Sequence, residues 1–315
     1  MTTPLATVPR TDTDRDHAVT ITGLVKHYPD PEGGVFAAVD GLDLEVRRGE
    51  ILGILGPNGA GKTTTLEIVE GLTPADGGSV RVLRLDPFTK PNEVQKRVGI
   101  QLQSSAYFPY LRLVELLELF GRLYPKRLHP DELLSRVGLA DKRRALVGEL
   151  SGGQAQRFAI VAALVNDPDV VFLDEPTTGL DPQARRNLWD VISGLSNEGR
   201  TVILTTHYME EAEALADRVA VIDHGRIAAV DTPTKLMDRH GSGTVVRFLT
   251  DRPAPETDLS TLPGVAGAKS HTNGHTAHTL DVTAADMAVP ALFEWAARSD
   301  RSIADLSIRR PTLED

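Results

Sequence analysis

The sequence contains no cysteine among its 315 residues, which excludes disulfide bonds, thiolate zinc sites and cysteine nucleophiles. Aromatic residues make up only 5% of the chain, and no stretch approaches the roughly 20 apolar residues that a membrane-spanning helix needs. Residues 1–17, rich in Thr, Asp and Arg, lack the apolar segment of a secretory signal and are expected to be a disordered lead-in. We therefore expect a cytoplasmic protein, which at a membrane would depend on another subunit for the spanning part.

Basic residues are outnumbered by acidic ones. The chain has 34 Lys and Arg against 44 Asp and Glu, a formal net charge of −10. This balance argues against a surface dedicated to nucleic acid, which needs a basic footprint. With 41% hydrophobic and 25% charged residues, the composition is that of an ordinary globular protein of one large or two modest domains.

Short apolar runs predict an α/β domain over residues 18–240. Residues 51–55 are almost wholly apolar, which is typical of a strand buried on both faces of a parallel sheet. A helix is expected from Lys62 to a C-cap at Gly71. Leucines at helical spacing after residue 111 predict a helical insertion over about residues 104–165. Further strands are predicted at residues 19–22, 36–46 (as a pair), 170–173, 202–205, 219–222 and 227–230.

The chain changes character after residue 240. Residues 240–243 are a plausible linker, and residues 241–315 predict a small α+β extension. A loose loop is expected over residues 270–278. Strands are predicted at residues 245–249, 279–282 and 303–308, and a helix at residues 288–298.

A glycine-rich segment lies between the apolar run and the first helix. Its pattern, Gly-x4-Gly-Lys-Thr, matches the Walker A motif, in which backbone N–H groups and a helix N-terminus bind nucleotide phosphates. Lys62 would reach the β- and γ-phosphates, and the hydroxyl of Thr63 would bind Mg²⁺. The expected nucleotide contacts are Gly56, Pro57, Asn58, Gly59, Ala60, Gly61, Lys62, Thr63 and Thr64.

Two carboxylates follow the apolar strand at residues 170–173. Ligands of open α/β sheets bind at the carboxyl ends of strands, so this pattern has the Walker B form. Asp174 would hold Mg²⁺, and Glu175 would polarise the attacking water as general base. Together the two motifs predict a P-loop NTPase.

The segment Leu150-Ser151-Gly152-Gly153-Gln154 resembles the signature sequence of ATP-binding cassette (ABC) ATPases. Ser151 is a candidate helix N-cap, and the glycines leave backbone N–H groups open to an anion. The resemblance covers roughly residues 18–240, and it implies the fold of an ABC nucleotide-binding domain with ATP and Mg²⁺ as ligands.

Other marks of that family are present. Gln103 resembles the glutamine that senses Mg²⁺ and the attacking water, with Gln101 as the competing candidate. Residues 178–181, ending at Asp181, resemble the D-loop, and His207 resembles the switch histidine that touches the γ-phosphate.

Tyr28 resembles the aromatic residue that stacks on adenine in this family, and Phe36 is the alternative. The resemblance also implies a head-to-tail dimer, in which each ATP lies between the Walker A of one subunit and the signature of the other. Ser151 and Gly153 would then contact the γ-phosphate of the partner's site, and Asp181 would lie at the dimer seam.

Finer features favour one branch of the family. Residues 177–185 and 206–213 look like those of ABC-2-type exporter ATPases, including drug- and antibiotic-resistance members. Residues 309–315 resemble the last piece of their C-terminal extension, expected here in a shortened form. The implied function is ATP hydrolysis that drives drug, antibiotic, lipid or polysaccharide efflux through a separate membrane subunit, docked near residues 104–120.

Two alternatives differ in partner. A non-transport ABC ATPase acting on nucleic acid or ribosomes is disfavoured because the chain has one cassette, no cysteine modules and fewer than about a hundred residues between Walker A and signature. An importer ATPase is disfavoured by residues 206–213 and by the C-terminal extension.

Overall fold

The computed structural model describes residues 16–30, 33–103, 107–240, 244–273 and 275–309. These fall into two compact units, Met1–Thr232 and Pro233–Asp315, so the division lies before the boundary predicted at residue 240. Most of the predicted lead-in, most of the predicted linker and the last residues of the terminal motif lie outside the described residues. His17, placed in the lead-in by the sequence, already begins the first strand.

The first unit contains nine strands and seven α-helices within the described residues. The strands are β1 (His17–Pro29), β2 (Val35–Arg47), β3 (Ile51–Leu55), β4 (Gly77–Val82), β5 (Val98–Gln101), β6 (Val170–Asp174), β7 (Thr201–Thr206), β8 (Arg218–Asp223) and β9 (Arg226–Asp231). The helices are α1 (Lys62–Val69), α2 (Pro91–Gln95), α3 (Leu113–Gly121), α4 (Pro130–Arg136), α5 (Gly152–Ala163), α6 (Pro182–Asn197) and α7 (Met209–Leu215).

A six-stranded sheet of order β5-β6-β7-β3-β8-β9 forms the centre of this unit. All its neighbouring pairs are parallel except β8 and β9, which form a hairpin. Strands β3, β6 and β7 are buried along their whole length, as the apolar run of residues 51–55 predicts for β3. At one edge Asp174 pairs with Thr205 and Leu55 with Thr206, so the segments after these three strands begin side by side.

The two faces of this sheet pack into separate apolar cores. Val170 and Phe172 belong to the core that contains α1, whereas Val171 and Leu173 belong to the core of α3, α4 and α5. Alternate residues of a strand point to opposite faces, which explains the division. The predicted helical insertion thus packs on one face of the sheet and the phosphate-binding segment on the other.

A three-stranded antiparallel sheet, of order β2-β1-β4, completes the unit. Residues 36–46 lie in the single strand β2 rather than in the predicted pair of strands. The pairing of β2 with β1 shifts register at several points, but the strand continues. Tyr28 and Phe36 are directly opposed in this register. The sequence did not predict β4, because its first residues are Gly-Gly-Ser and carry no apolar alternation.

The second unit is an antiparallel sheet covered by helices. Its elements are α8 (Pro233–His240), β10 (Thr244–Thr250), α9 (Glu256–Ser260), β11 (Val265–Asn273), β12 (His275–Val282), α10 (Ala285–Arg298) and β13 (Ile303–Arg309). The strand order is β11-β12-β10-β13. Among the residues that the structure describes, in either unit, no helix combines the length and apolarity needed to cross a membrane.

The loop predicted over residues 270–278 is wrong for its described part, because residues 270–273 and 275–278 belong to the paired strands β11 and β12. His278 points inward and is 1% exposed. Its ring nitrogens lie 2.8 Å from the hydroxyls of both Thr250 and Ser270, and its ring stacks on Phe248 at 5.0 Å. A polar run can therefore form an inner strand face here, since its hydrogen-bonding groups are paired.

Helix α1 ends in a buried acid. Glu70 follows its last residue and is 3% exposed, and its Oε1 has no hydrogen-bond partner within the described residues. Burial, together with the negative charges of Asp174 and Glu67, raises the pKa of Glu70 to about 8. The folded state therefore binds a proton that the unfolded chain releases at much lower pH.

We expect Glu70→Gln to stabilise the protein in alkaline solution. The contribution of Glu70 is most favourable below its unfolded pKa of about 4.5 and is lost as pH rises to about 8. Thermal unfolding should show a gain of about 1 to 3 kcal/mol at about pH 8.5 and little change at about pH 5. Glu118→Gln, at an exposed position of α3, is the control. A gain that is equal at both pH values would contradict the assignment.

Candidate functional site

The segment between β3 and α1 folds around the ammonium group of Lys62. Its Nζ donates hydrogen bonds to the carbonyl oxygens of Gly56, at 2.8 Å, and of Pro57, at 3.1 Å. A Cβ on Gly61 would lie 2.2 Å from the carbonyl oxygen of Ala38, and the φ of Gly61 is +100°. Only glycine fits that position, because both the space and the backbone conformation exclude a side chain.

Lys62 is 5% exposed and faces two carboxylates. Its Nζ lies 3.9 Å from Oε1 of Glu175. Burial lowers the pKa of Lys62, and the charges of Glu175 and Asp174 partly offset that shift. The ammonium group is thus held away from water, where its attraction for a negatively charged ligand is stronger than at the surface.

Asp174 ends β6 and accepts two hydroxyl groups. Thr205 donates a hydrogen bond to its Oδ1, and Oγ1 of Thr63 lies 3.4 Å from the same oxygen. Burial raises the pKa of Asp174, and these hydrogen bonds oppose the shift. A carboxylate beside a threonine hydroxyl is the oxygen-rich environment that Mg²⁺ prefers, so these side chains fit that ion.

Glu175 is the centre of the site. Its backbone N–H donates to the carbonyl oxygen and the hydroxyl of Thr205, at 3.2 and 3.0 Å. Its φ is +47°, a left-handed conformation that a residue other than glycine adopts at a cost of about 1 to 3 kcal/mol. This strained turn directs the carboxylate back toward Lys62 rather than along the strand.

Three further side chains converge on this carboxylate. Gln103 Nε2 donates to its Oε2 at 3.3 Å, and Thr178 Oγ1 donates to the same oxygen at 3.1 Å. His207 Nδ1 lies 3.3 Å from Oε1, although the two are not aligned for a hydrogen bond. The sequence did not single out Thr178 or Thr205 for this role, because a hydroxyl next to a carboxylate in space has no signal in the chain.

The two candidate glutamines lie in different surroundings. Gln101 is 1% exposed and its amide donates to the carbonyl oxygen of Leu102 at 2.6 Å. Gln103, in contrast, contacts the carboxylate of Glu175 and lines the same cavity as Lys62. The geometry therefore favours Gln103 as the residue that could contact a ligand.

A cavity of about 350 Å³ opens above the glycine-rich segment. Its walls carry both candidate aromatic residues, Tyr28 and Phe36, whose ring centroids are 6.0 Å apart. The sequence did not predict that the two rings lie side by side, because the pairing register of β1 and β2 decides it. The lining residues are Tyr28, Phe36, Ala38, Asn58, Gly59, Gly61, Lys62, Thr63, Thr64, Gln103 and Glu175.

The signature residues and Asp181 do not line this cavity, although the structure describes all of them. Ser151 caps α5 by accepting from the backbone N–H of Gln154 at 3.4 Å, and both Ser151 and Gly152 are exposed. The side chain of Asp181 caps α6 through the N–H groups of residues 183 and 184, each at 2.9 Å. Gly153 lies next to α6, since a Cβ added to it would be 3.5 Å from the Cβ of Ala184.

Comparisons with known proteins give consistent matches. A family model described as ABC transporter matches residues 39–178. The chain is 39% identical over 308 residues to the daunorubicin resistance ATP-binding protein DrrA3 of Streptomyces coeruleorubidus, covering 95% of this chain and 94% of that protein. It is 40% identical over 250 residues to the Nod factor export ATP-binding protein I of Ralstonia nicotianae, covering 78% of this chain and 76% of that protein.

Among solved structures, a dimeric ATP-binding cassette in a post-hydrolysis state, bound to ADP and Pi, matches with a TM-score of 0.61. The sequences are 25% identical, and the match covers 68% of this chain and 98% of that chain.

We expect Tyr28→Ala to weaken ATP binding more than Phe36→Ala. Stacking of a base on an aromatic side chain is worth about 1 to 3 kcal/mol, so affinity should fall at least about fivefold, whereas Tyr28→Phe should bind almost normally. Titration calorimetry of the purified chain with ATP measures the difference. Val35→Ala, at a position of β2 that is 69% exposed, is the control. A larger loss for Phe36→Ala would assign the adenine contact to Phe36.

Proposed function

The chain belongs to the ABC transporter family, and we propose that it is the ATP-hydrolysing subunit of an ABC-2-type exporter. The relatives that it resembles along most of its length are named as resistance and export ATP-binding proteins, which sets the non-transport and importer alternatives aside. The observation that carries the enzymatic part is the convergence of Lys62, Gln103 and His207 on the carboxylate of Glu175.

ATP is bound with its phosphates in the segment of residues 56–64. Lys62 exchanges its hydrogen bonds to the carbonyl oxygens of Gly56 and Pro57 for the β- and γ-phosphate oxygens. Backbone N–H groups of the loop and the N-terminus of α1 add further donors. The adenine stacks on Tyr28 at the opposite end of the cavity.

Thr63, Asp174 and Gln103 would hold Mg²⁺, which would supply positive charge to neutralise the phosphates. Glu175 acts as general base, because its carboxylate lies beside Lys62 and close to where a γ-phosphate would sit. Gln103 and Thr178 orient this carboxylate through their hydrogen bonds. His207 contacts the γ-phosphate from the neighbouring strand.

The active unit is a dimer. Support comes from the exposed signature residues Ser151 and Gly152, which lie outside the cavity, and from the dimeric cassette with a similar fold. In the proposed head-to-tail arrangement Ser151, Gly153 and Gln154 of one subunit contact the γ-phosphate bound to the other. Asp181 then lies at the seam, where its cap on α6 fixes the segment that precedes it.

Glu175→Gln should reduce ATP turnover by at least about 100-fold, since a positioned general base contributes about 10²–10⁴ to the rate. The amide has nearly the same shape, so ATP binding should persist and an ATP-dependent dimer should accumulate. Phosphate release and size-exclusion chromatography with ATP measure the two effects. Glu93→Gln, at an exposed acid of α2, is the control. Turnover by Glu175→Gln at the wild-type rate would remove Glu175 from the proposed role.

The membrane subunit docks on a second cavity, of about 410 Å³. One of its lining residues is Leu102, which directly precedes Gln103 in the sequence. Strand β5, helices α3 and α5 and the side chains of Leu102 and Tyr107 contribute to its walls. Its mouth is apolar, with Leu123 73% and Leu102 43% exposed. A short amphipathic helix at the cytoplasmic end of a membrane subunit fits such a groove. The chain would thus work at the cytoplasmic face of the membrane, driving efflux of a drug, antibiotic, lipid or polysaccharide.

Leu123→Glu should abolish co-purification with the membrane subunit, because it places a charge in the apolar groove. The ATPase rate of the isolated chain should stay unchanged, since the site at Glu175 is untouched. The membrane subunit to use is the product of an adjacent gene with about six apolar spans. Leu72→Glu, at another leucine that is 52% exposed, is the matched control. Equal retention of both variants by the membrane subunit would refute docking at this groove.

A further inference from the structure

The ring of Tyr208 lies against the imidazole of His207. The two ring centroids are 4.1 Å apart, and the ring planes are tilted by 40°. Successive residues of a strand point to opposite faces, so a continuation of β7 would hold these two side chains apart. Instead, the backbone N–H of Tyr208 donates to Oγ1 of Thr206 at 2.9 Å, which closes a turn directly after the strand. This turn allows the two neighbouring rings to meet.

A guanidinium group covers the ring of Tyr208. The guanidinium carbon of Arg185 lies 4.4 Å from the ring centroid, a distance at which the cation is attracted by the face of the ring. Nε of Arg185 is buried and has no hydrogen-bond partner within the described residues. Its Nη1 lies 4.0 Å from Oε2 of Glu210, a side chain that is 77% exposed, so this ion pair is weak. The contact with the ring thus holds the guanidinium in place.

The position of Arg185 is set by helix α6. Asp181 caps this helix, and the backbone N–H of Arg185 donates to the carbonyl oxygen of Asp181 at 2.9 Å. One turn further along, Trp189 Nε1 donates to Oε1 of the buried Glu211 in α7 at 3.2 Å. This hydrogen bond joins α6 to the helix that begins directly after Tyr208. The guanidinium therefore has a defined place relative to the ring.

The imidazole of His207 is not fixed by a hydrogen bond at Nδ1. That atom lies 3.3 Å from Oε1 of Glu175 without alignment, and within the described residues it has no hydrogen-bond partner. A functional side chain must be held within about 0.5 Å of its productive place, and rotation of the imidazole would move its nitrogens further than that. The ring of Tyr208 restricts this rotation.

Core packing does not account for the place of Tyr208. As far as the structure describes the chain, Tyr208 packs into neither apolar core of the first unit, whereas Trp189 packs on the core of α3, α4 and α5. The contacts of its ring with His207 and Arg185 are therefore not a by-product of core formation.

We propose that Tyr208 is a positioning residue that holds the imidazole of His207 at the γ-phosphate, and that Arg185 fixes the ring of Tyr208. The inference rests on the proposed role of His207. Because Arg185 follows Asp181 by one turn of α6, the segment at the proposed dimer seam contributes to the placement of the histidine.

Steady-state ATP hydrolysis by the purified full-length chain tests the ring contact. Tyr208→Leu should lower kcat at least about fivefold with KM for ATP within about twofold, because the histidine acts after the nucleotide is bound. Tyr208→Phe keeps the ring and should retain at least about half of the wild-type kcat. Wild-type kcat in Tyr208→Leu, an equal loss in Tyr208→Phe, or a loss confined to KM would each overturn the proposal.

Arg185→Met tests the guanidinium, since it removes the charge and the planar group but keeps an unbranched stem. It should lower kcat at least about threefold at unchanged KM, and Arg185→Lys should lose less because an ammonium group is still attracted by the ring. Combined with Tyr208→Leu, it should add no further loss, since it acts through that ring. Arg186→Met, at the neighbouring exposed arginine of α6, is the matched control. Additive losses would contradict the proposed order of contacts.

The NMR signals of the histidines report the same contact without turnover. An aromatic ring at 4.1 Å shifts the C–H resonances of an imidazole, so the signal of His207 should move in Tyr208→Leu and stay in Tyr208→Phe. The chain is labelled with ¹³C-histidine, and the signal is assigned by its loss in His207→Ala. If Tyr208→Leu does not fold, Arg185→Met should still move the signal, whereas Arg186→Met should not. An unmoved signal in folded Tyr208→Leu would refute the contact.

His207→Ala separates failure of this inference from failure of the proposed function. If His207→Ala hydrolyses ATP at the wild-type rate, the role of the histidine itself is refuted, and its positioning with it. If His207→Ala is inactive while Tyr208→Leu behaves like Arg186→Met, only the positioning through Tyr208 is refuted.

Discussion

The hydroxyl of Thr205 is the interaction on which the site depends. It donates to the carboxylate of Asp174 and accepts from the backbone N–H of Glu175, so one group orients two successive acids in different directions. This requires β6 and β7 to be parallel and in register at their ends, with Asp174 opposite Thr205. The left-handed turn at Glu175 follows from the same bonds, which repay its strain.

Charge balance imposes the second constraint. Lys62, Asp174 and Glu175 are each less than a tenth exposed, and none would be stable there without the others. Removing one charge leaves an uncompensated partner in a dehydrated place. The two carboxylates of this site are preorganised, whereas Lys62 has to exchange its hydrogen bonds to Gly56 and Pro57 when a phosphate arrives.

The sequence predicted those parts of the fold that depend on local pattern. Strands β3, β6 and β7 are buried on both faces and carry short apolar runs in sequence, and the loops after them carry the recognised motifs. It failed where pairing decides the outcome. The sequence of β11 and β12 is polar and was predicted as a loop. It forms a strand pair because the buried His278 is hydrogen-bonded to Thr250 and Ser270.

Within the site, the motifs identified Lys62, Asp174 and Glu175, but not the residues that hold their side chains in place. Thr178 and Thr205 act only through distances that the fold creates. Glu211 reads in sequence as one of several surface acids on a helix, and only its burial distinguishes it.

Because β6 contributes side chains to two cores, substitutions at its neighbouring residues affect different parts of the molecule. A substitution at Phe172 affects the packing of α1 and the phosphate-binding segment, whereas one at Val171 affects the helices that border the proposed docking groove. Adjacent residues of β6 are therefore under different structural constraints. Under the proposed docking, substitutions that adapt the groove to a membrane subunit leave the packing around the phosphate-binding segment unchanged.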